Sequence, residues 1–162
     1  MLFRMDITLV VVSNNRNWNE QTREGVIQME HSVIIKGKYY GKDNVFPGLN
    51  DYIHSCSRHP QAGAKMKRDY QLIASNAIRL QLGKLAILNP VRIHYAFYEA
   101  TEKRDHSNVA SFFVKVFEDA LQQCGVLKND NWRYLKGYSQ EFHIDRTNPR
   151  VEVTIEELDG VP

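Results

Sequence analysis

Hydrophobic and polar positions repeat with strand-like and helix-like periods along this chain, and their order predicts its secondary structure. Residues 31–40, HSVIIKGKYY, predict a strand that ends in a loop marked by Pro47 and Gly48. LNDYIHSCS predicts a short helix with Asn50 near its start. A long helix follows Pro60, and its predicted buried stripe repeats every three or four residues: Met66, Tyr70, Ile73, Ala77 and Leu80, with Ala74 beside them.

The second half of the chain has the clearest periods. PVRIHYAFYE alternates, which predicts a half-buried strand with one inward set: Val91, Ile93, Tyr95 and Phe97. A helix beginning near Ser107, capped by Ser107 or Asn108, has a buried face expected to contain these residues: Val109, Phe112, Phe113, Val116, Ala120 and Leu121. Gly125 fits the end of that helix.

Two strands close the chain, and the whole order predicts the fold class. Their predicted inward sets are Tyr138, Gln140, Phe142 and Ile144, followed by Val151, Val153 and Ile155. The resulting order is β-α-α-β-α-β-β. We therefore expect an α+β fold, a small mixed sheet with helices packed mainly on one face.

Residues 1–28 differ from the rest and predict a boundary. They contain one strand-like run, DITLVVV, followed by a polar stretch rich in asparagine. We interpret residues 1–28 as an N-terminal extension, or as a mis-start upstream of Met29, and residues 29–162 as the functional domain.

Composition favours one globular domain and excludes several classes. The chain has 162 residues, of which 43% are hydrophobic and 25% charged. Its apolar runs are too short to cross a membrane, so we expect no membrane partner and a cytoplasmic location. Two distant cysteines predict neither a zinc site nor a disulfide framework.

Charge is distributed unevenly between the two halves. Residues 34–84 contain nine Lys/Arg and three acids, a net charge of +6, whereas residues 99–162 contain eight and twelve, a net charge of −4. This asymmetry suggests a face that binds polyanions beside a cluster that binds cations. It is also compatible with chance and solubility alone.

The outer face of the third helix carries a polar stripe. Its members step by three or four residues: Ser107, Ser111, Lys115, Glu118 and Gln122. Asp105 lies at the foot of the stripe, and Asp130 follows the helix in an oxygen-rich loop. If that loop folds back, the two aspartates could share one Mg²⁺, which takes few protein carboxylates, with a lysine at the rim stabilising transition-state charge. Spacing alone fits a solvated face equally well.

The segment KRDHSNVASFFVKVFEDALQQCGVLKNDNWRYLKGY, with the later NPRVEVTIEEL, resembles the RusA family of Holliday-junction resolvases, which are common in bacteriophages and prophages. The shared pattern is a basic residue, an Asp-x-Asp-Asn motif, a lysine-bearing helix ending in Asp-Ala-Leu, a glycine, a later aspartate and a closing Pro-Arg-x-x-Val strand. FPGLNDYI and the basic helix after it also look similar. The resemblance covers about residues 31–158.

The resemblance implies a homodimeric, Mg²⁺-dependent endonuclease, with Mn²⁺ as a possible replacement, that nicks four-way DNA junctions symmetrically in recombination and repair. It assigns metal binding to Asp105 and Asp130 and catalysis to these two and Lys115. Asn108 and Asp119 match the motif, and we interpret Asp119 as structural. Ser107 stands where the family has its second aspartate. A serine oxygen binds metal weakly or through water, so the alternative is an impaired enzyme that binds junctions or other DNA on the same scaffold.

Further residues are candidates for DNA contact. We expect phosphate contacts from five basic residues: Lys65, Lys67, Arg68, Lys103 and Arg104. His106 is interpreted as solvent-facing rather than as a ligand. Trp132 and Tyr134 are interpreted as core residues, with a wedge at the junction crossover as the other possibility. A small protein-interaction module that uses the basic segment is the unrelated third hypothesis.

Overall fold

The computed structural model describes residues 18–23, 26–40 and 44–160, with side chains from residue 29 onward. Its elements are β1 (Trp18–Arg23), β2 (Val26–Lys36), α1 (Leu49–Arg58), α2 (Pro60–Leu82), β3 (Val91–Glu99), α3 (His106–Gln123), β4 (Leu135–Ile144) and β5 (Arg150–Glu157). A 3₁₀ turn, Gly37–Tyr39, follows β2. From β2 onward this is the predicted β-α-α-β-α-β-β order, and the α+β class is confirmed.

The five strands form one mixed sheet in the order β1-β2-β5-β3-β4. The pairs β1–β2, β2–β5 and β3–β5 are antiparallel, whereas β3 and β4 run parallel. A parallel pair needs a crossover connection, and here α3 provides it. The crossover places the loop after α3 beside the start of the edge strand β4.

One face of the sheet is buried, and the sequence predicted it for the central strands. Val91, Ile93 and Tyr95 are fully buried and Phe97 is 1% exposed. The alternate β5 residues Val151, Val153 and Ile155 are buried with them. Both predicted inward sets are confirmed, as is the whole predicted buried face of α3. The helices pack on this face, while the other face of the sheet carries polar residues.

The prediction for β4 was wrong in most positions. Of its expected inward set only Phe142 is half-buried, whereas Tyr138 is 56% and Ile144 48% exposed, and Gln140 is exposed. Phe142 stacks on Phe97 at 5.1 Å and on His106 at 4.0 Å between ring centroids. The predicted set does lie on one face of β4, but the side chains of an edge strand are buried only where a neighbouring element packs over them.

The buried stripe of α2 also differs from the prediction. Leu80 is 84% exposed, whereas Ala74, Ile78 and Leu82 are buried. These three residues form an i, i+4, i+8 row, which is inclined to the helix axis. The stripe therefore leans across the helix instead of running straight along it, and Leu80 falls outside it.

Phe46 anchors the loop that leads into α1. It is 4% exposed, and its ring lies edge-on to Tyr40, Tyr70 and Phe113 at centroid distances of 5.1, 4.8 and 4.9 Å. Such aromatic pairs add to the free energy gained from burial. The anchor fixes Gly48 and the start of α1 against the beginning of α3.

The edge of β2 is closed by a side chain rather than by a strand at one point. Gln81 accepts a hydrogen bond from the Ile34 amide at 2.9 Å and donates one to the Ile34 carbonyl at 2.8 Å. Within the described residues, β1 pairs with β2 up to the pair Trp18–His31. The proposed boundary after residue 28 falls inside β2, so the separateness of residues 1–28 stays a prediction; DITLVVV lies outside the described residues.

Candidate active site

The N-terminal end of α3 is arranged differently from the prediction. The helix begins at His106 with Asp105 as its N-cap, and the Asp105 carboxylate caps no helix amide. Ser107 is exposed, and its carbonyl accepts a hydrogen bond from the Ser111 hydroxyl at 2.6 Å. Neither Ser107 nor Asn108 caps this helix. Aspartate is itself a preferred N-cap residue and is favoured by the helix dipole.

Asn108 instead caps a different helix. Its Oδ1 accepts a hydrogen bond from the Asn50 amide in the first turn of α1 at 2.8 Å. The N-cap position of α1 is Gly48, which has no side chain, and a Cβ built there would meet Asn108 Oδ1 at 2.6 Å. The carboxamide of Asn108 thus takes the place that the N-cap side chain normally fills. Asn108 ties α1 to α3.

Arg104 is also committed to the architecture. Its guanidinium donates to Glu99 at 2.6 Å and to the Phe46 carbonyl at 2.8 Å, and its side chain is 20% exposed. The two bonds hold the end of β3 against the loop before α1. Arg104 is therefore poorly placed to contact phosphate, unlike its exposed neighbour Lys103.

A chain of alternating charges occupies the middle of the outer face of α3. Lys115 Nζ lies 2.9 Å from Asp119 Oδ1 and 3.3 Å from Asp130 Oδ2. Asp119 Oδ2 in turn lies 2.6 Å from Lys67 Nζ on α2. The loop after α3 has thus folded back, as the sequence suggested, but it brings Asp130 to Lys115. We call Lys67, Lys115, Glu118, Asp119 and Asp130 the mid-helix cluster.

These contacts shift the pKa values in opposite directions. Partial burial raises the pKa of Asp119, but hydrogen bonds from Lys67 and Lys115 outweigh it and leave that pKa below its ordinary value. The hydrogen bond to Asp119 raises the pKa of Lys115, and Asp130 raises it further. Both groups therefore stay charged over the neutral range, and Asp119 acts mainly as the link between α2 and α3.

Glu118 is the unusual member of the mid-helix cluster. Burial, followed by the charge of Asp130, raises its pKa to about 7. Its Oε1 and the hydroxyl of Tyr95 are both buried and interact with each other, but neither makes a well-formed hydrogen bond among the described residues. The nearby Glu118 charge adds to the burial that raises the pKa of Tyr95. A half-buried carboxylate with a strongly shifted pKa that also lines a cleft is a candidate ligand-binding group.

An open cleft of about 500 Å³ adjoins these carboxylates. Its walls come from α3, the loop before β4 and the start of β4: Glu118, Asp130, Trp132, Leu135, Lys136, Gly137 and Tyr138. Trp132 is 92% exposed, so its interpretation as a core residue was wrong. Tyr134 is half-buried.

The two predicted metal-binding aspartates lie in different places. Asp105 is ten residues before Lys115, which corresponds to about 15 Å along the helix axis, and Asp130 contacts Lys115. No hydrogen bond or ion pair in the described residues joins Asp105 to Asp130. The geometry lends no support to one cation shared by this pair, and Ser107 lies at the Asp105 end.

The residues that fit a hard cation best are Glu118 and Asp130. Both line the cleft, and they interact electrostatically. Mg²⁺ needs only one or two protein carboxylates when water and substrate complete its shell. Within the described ranges, no three His, Cys, Asp or Glu side chains form a metal-binding group.

The basic residues predicted to contact DNA divide into two groups. Arg68 and Lys103 are exposed and pair with no carboxylate in the described part of the chain. Lys65 pairs with Asp69 at 2.5 Å on the surface of α2, and Lys67 is held by Asp119. Surface pairs such as Lys65–Asp69 exchange readily with solvent or phosphate, so Lys65, Arg68 and Lys103 remain the accessible candidates.

Sequence reasoning placed Lys115 and Glu118 on one helix face and grouped Asp130 with Asp105, and it missed the aromatic walls. Trp132 and Tyr138 were assigned to the core, because aromatic residues usually lie there. A tryptophan between Asn131 and Arg133, in a loop rich in polar residues, was the available signal for exposure. His106, expected to face solvent, is exposed but stacks on Phe142.

Comparison with known proteins adds no relative to this picture. No protein-family model matches the chain. A search of curated proteins found no match either. Within the described residues, none of the helices combines the length and the apolar character needed to cross a membrane.

Proposed function

We propose that this protein is a Mg²⁺-dependent endonuclease that cuts branched DNA, with four-way junctions as its substrate. The proposal rests on the sequence resemblance to RusA-type resolvases. The single structural observation that supports it most is the meeting of Lys115, Glu118 and Asp130 beside an open cleft. Metal-assisted hydrolysis of a phosphodiester uses carboxylates that hold the metal ion, a basic side chain that stabilises negative charge and a space that admits the substrate.

The proposed roles differ from the sequence prediction at one point. Glu118 and Asp130 hold the metal, while Asp105 marks the start of α3. A Mg²⁺ ion bound there would polarise the phosphodiester and lower the pKa of a bound water. Lys115, which contacts Asp130 and Asp119, would donate to a phosphate oxygen and stabilise charge in the transition state. Mn²⁺ prefers similar oxygen ligands and should replace Mg²⁺.

A homodimer fits this proposal. Resolution of a junction needs two cuts related by two-fold symmetry, and an isologous interface would place two copies of the cleft in that relation. Phosphate contacts by Lys65, Arg68 and Lys103 would position the arms without reading sequence.

The second candidate function is a junction-binding protein that does not cut. Two observations favour it: Ser107 replaces a carboxylate of the motif, and Asp105 stands apart from the mid-helix cluster. Both functions predict binding that weakens steeply with salt, because phosphate contacts release counterions. They differ only in metal-dependent turnover.

The test uses a labelled four-way junction and a linear duplex of the same sequence, each with Mg²⁺ or Mn²⁺. The nuclease proposal expects paired nicks in the junction only, absent from Asp130→Asn and Glu118→Gln. Junction binding without nicks, with cutting gained in Ser107→Asp, would establish the non-cutting function. Equal binding of junction and duplex would reject both.

A further inference from the structure

Trp132 is held in an exposed position by an ordered turn. Asn129 Oδ1 accepts a hydrogen bond from the Asn131 amide at 2.9 Å, and Asn131 Oδ1 accepts one from the Arg133 amide at 3.0 Å. The Asn131 carbonyl also accepts from the amides of Tyr134 and Leu135 at 3.0 and 2.9 Å. The indole projects from this turn with 92% of its surface exposed.

A second exposed aromatic residue, Tyr138 on β4, lines the same cleft. Its ring is 56% exposed and lies edge-on to the buried Tyr95, with 6.2 Å between the centroids. Trp132 and Tyr138 therefore offer two aromatic surfaces beside a cleft of about 500 Å³, whose carboxylates are Glu118 and Asp130. Burying such rings against a ligand would recover the free energy lost by leaving them in water.

Segment 128–136, which contains this turn, carries three basic residues that we call the basic rim, and one of them, Lys136, lines the cleft. Lys128, Arg133 and Lys136 are exposed, and none of them pairs with a carboxylate in the described part of the chain. The charged groups of Lys128 and Arg133 each lie 6.0 Å from the centre of the Tyr134 ring. Three cations without acidic partners next to two exposed aromatic rings favour a ligand that has both phosphate and flat apolar surfaces.

We infer that this cleft binds an unpaired nucleotide, with its base stacked on Trp132 and Tyr138 and its phosphate held by the basic rim. A base inside a duplex is stacked on its neighbours and cannot reach the rings, whereas a base at a branch point can be displaced. Stacking on aromatic side chains is sequence-tolerant, since every base has a π-face. The inference rests on the proposed function in making the branch point the natural source of that nucleotide.

An acidic peptide is the competing occupant, because it would also satisfy the cations. It would leave Trp132 and Tyr138 without a flat partner, so a nucleotide accounts for more of the site. Glu118 and Asp130 inside the cleft would also repel acidic side chains, whereas a divalent cation can bridge them to a phosphate.

The test is binding of a short labelled oligothymidylate in the presence of Mg²⁺, which can bridge the carboxylates to a phosphate; an unbranched strand contains no junction to be cut. In the Trp18→Phe background Trp132 is the only tryptophan, because the chain contains two. We expect quenching of its fluorescence on binding, and a dissociation constant about tenfold or more higher in Trp132→Ala. Trp132→Tyr should keep most of the affinity, and Lys136→Gln should flatten the salt dependence.

Two controls keep the result specific. Tyr39 is another exposed aromatic residue, 56% exposed and outside the cleft, so Tyr39→Ala should bind as the parent does. Circular dichroism and the melting temperature check that Trp132→Ala folds. Absence of quenching, unchanged affinity in Trp132→Ala, or binding of an acidic peptide in place of the oligonucleotide would each overturn the inference.

The failure of this inference is distinguishable from failure of the proposed function. If the parent protein cuts junctions and Trp132→Ala cuts and binds them equally well, the nuclease stands and the nucleotide cleft is wrong. If no junction is cut but Trp132 is quenched by the oligonucleotide, the cleft stands without the nuclease.

Discussion

The start and the middle of α3 use similar residues for different purposes. At the start of α3, Arg104 and Asn108 satisfy the backbone of another segment, holding Phe46 and Asn50. In the middle of α3, Lys115 pairs with Asp130 of the following loop, and the buried Oε1 of Glu118 makes no well-formed hydrogen bond among the described residues. Polar groups that complete a fold have all their partners inside the protein. Those of a binding site keep capacity for something outside it.

The largest expected difference is between replacing Asp130 and replacing Asp105 by asparagine. Asp130→Asn removes a proposed metal ligand, so junction cleavage should fall about 100-fold or more. Asp105→Asn changes a carboxylate that caps no amide and lies about 15 Å from Lys115 along the helix axis, and cleavage should stay within about fivefold of the parent. Single-turnover rates at saturating Mg²⁺ measure both. Equal losses in the two variants would return Asp105 to the metal site.

The next prediction concerns the cap that Asn108 gives to α1. Gly48→Ala places a methyl group at 2.6 Å from Asn108 Oδ1 and should destabilise the protein by about 1–3 kcal/mol. Asn108→Ala should cost about 1 kcal/mol through the lost cap. Because Asn108→Ala also removes the clash, adding Gly48→Ser to it should restore a cap and part of the stability.

Urea denaturation of the parent, Gly48→Ser, Asn108→Ala and the protein that combines both substitutions tests that coupling. The combined Gly48→Ser, Asn108→Ala protein should be more stable than Asn108→Ala alone, which additive effects do not predict. Additive losses in the pair would mean that Asn108 does not occupy the cap position of α1.

The raised pKa of Glu118 predicts an unusual dependence of the free energy of unfolding on pH. Its pKa is about 7 in the folded protein and about 4.3 when unfolded, so the folded state binds more protons between these values. This carboxyl therefore contributes a loss of stability as pH rises from about 4.3 to 7. Glu118→Gln should remove that loss and be more stable than the parent by about 1–2 kcal/mol at pH 8, after allowance for partial exposure.

Thermal or urea unfolding of the parent and Glu118→Gln at pH 5 and pH 8 measures the effect. The two proteins should differ little at pH 5 and diverge at pH 8. A Glu118→Gln protein that is less stable at pH 8 would indicate that the ionised carboxylate has a stabilising partner. Added Mg²⁺ should stabilise the parent more at pH 8 than at pH 6, because a metal ligand must be deprotonated.

The smallest effects are expected from the exposed cations. Arg68→Ala and Lys103→Ala should each weaken junction binding modestly and lower the slope of log K against log salt by about one. Lys84→Ala, an exposed lysine beyond the C-terminal end of α2, is the matched control. Arg104→Ala should instead lower the melting temperature, since it removes the bonds to Glu99 and Phe46.

The sequence predicted the central features of this fold because local patterns determine them. Alternation in β3 and the apolar face of α3 are properties of single segments, and both were confirmed. The exposure of Leu80 and Tyr138 depends on which neighbour covers them, and no local pattern contains that information. In the same way Lys115 and Asp130 were both identified, but their distance from Asp105 depends on how the loop after α3 closes. Asn108 was identified as a motif residue, whereas its role at α1 requires a contact across 58 residues.

The carboxamide of Gln81 has a consequence for how the sheet can grow. It occupies the amide and the carbonyl of Ile34, three residues beyond His31, the partner of Trp18. A strand that pairs with β2 at Ile34, from the same chain or from another copy, must first displace the Gln81 side chain, which forms the hydrogen bonds that such a strand would form. Exposed strand edges promote aggregation. Gln81, which belongs to the long helix α2, therefore blocks strand addition at Ile34. A strand can pair there only after substitution of Gln81 or local unfolding of α2.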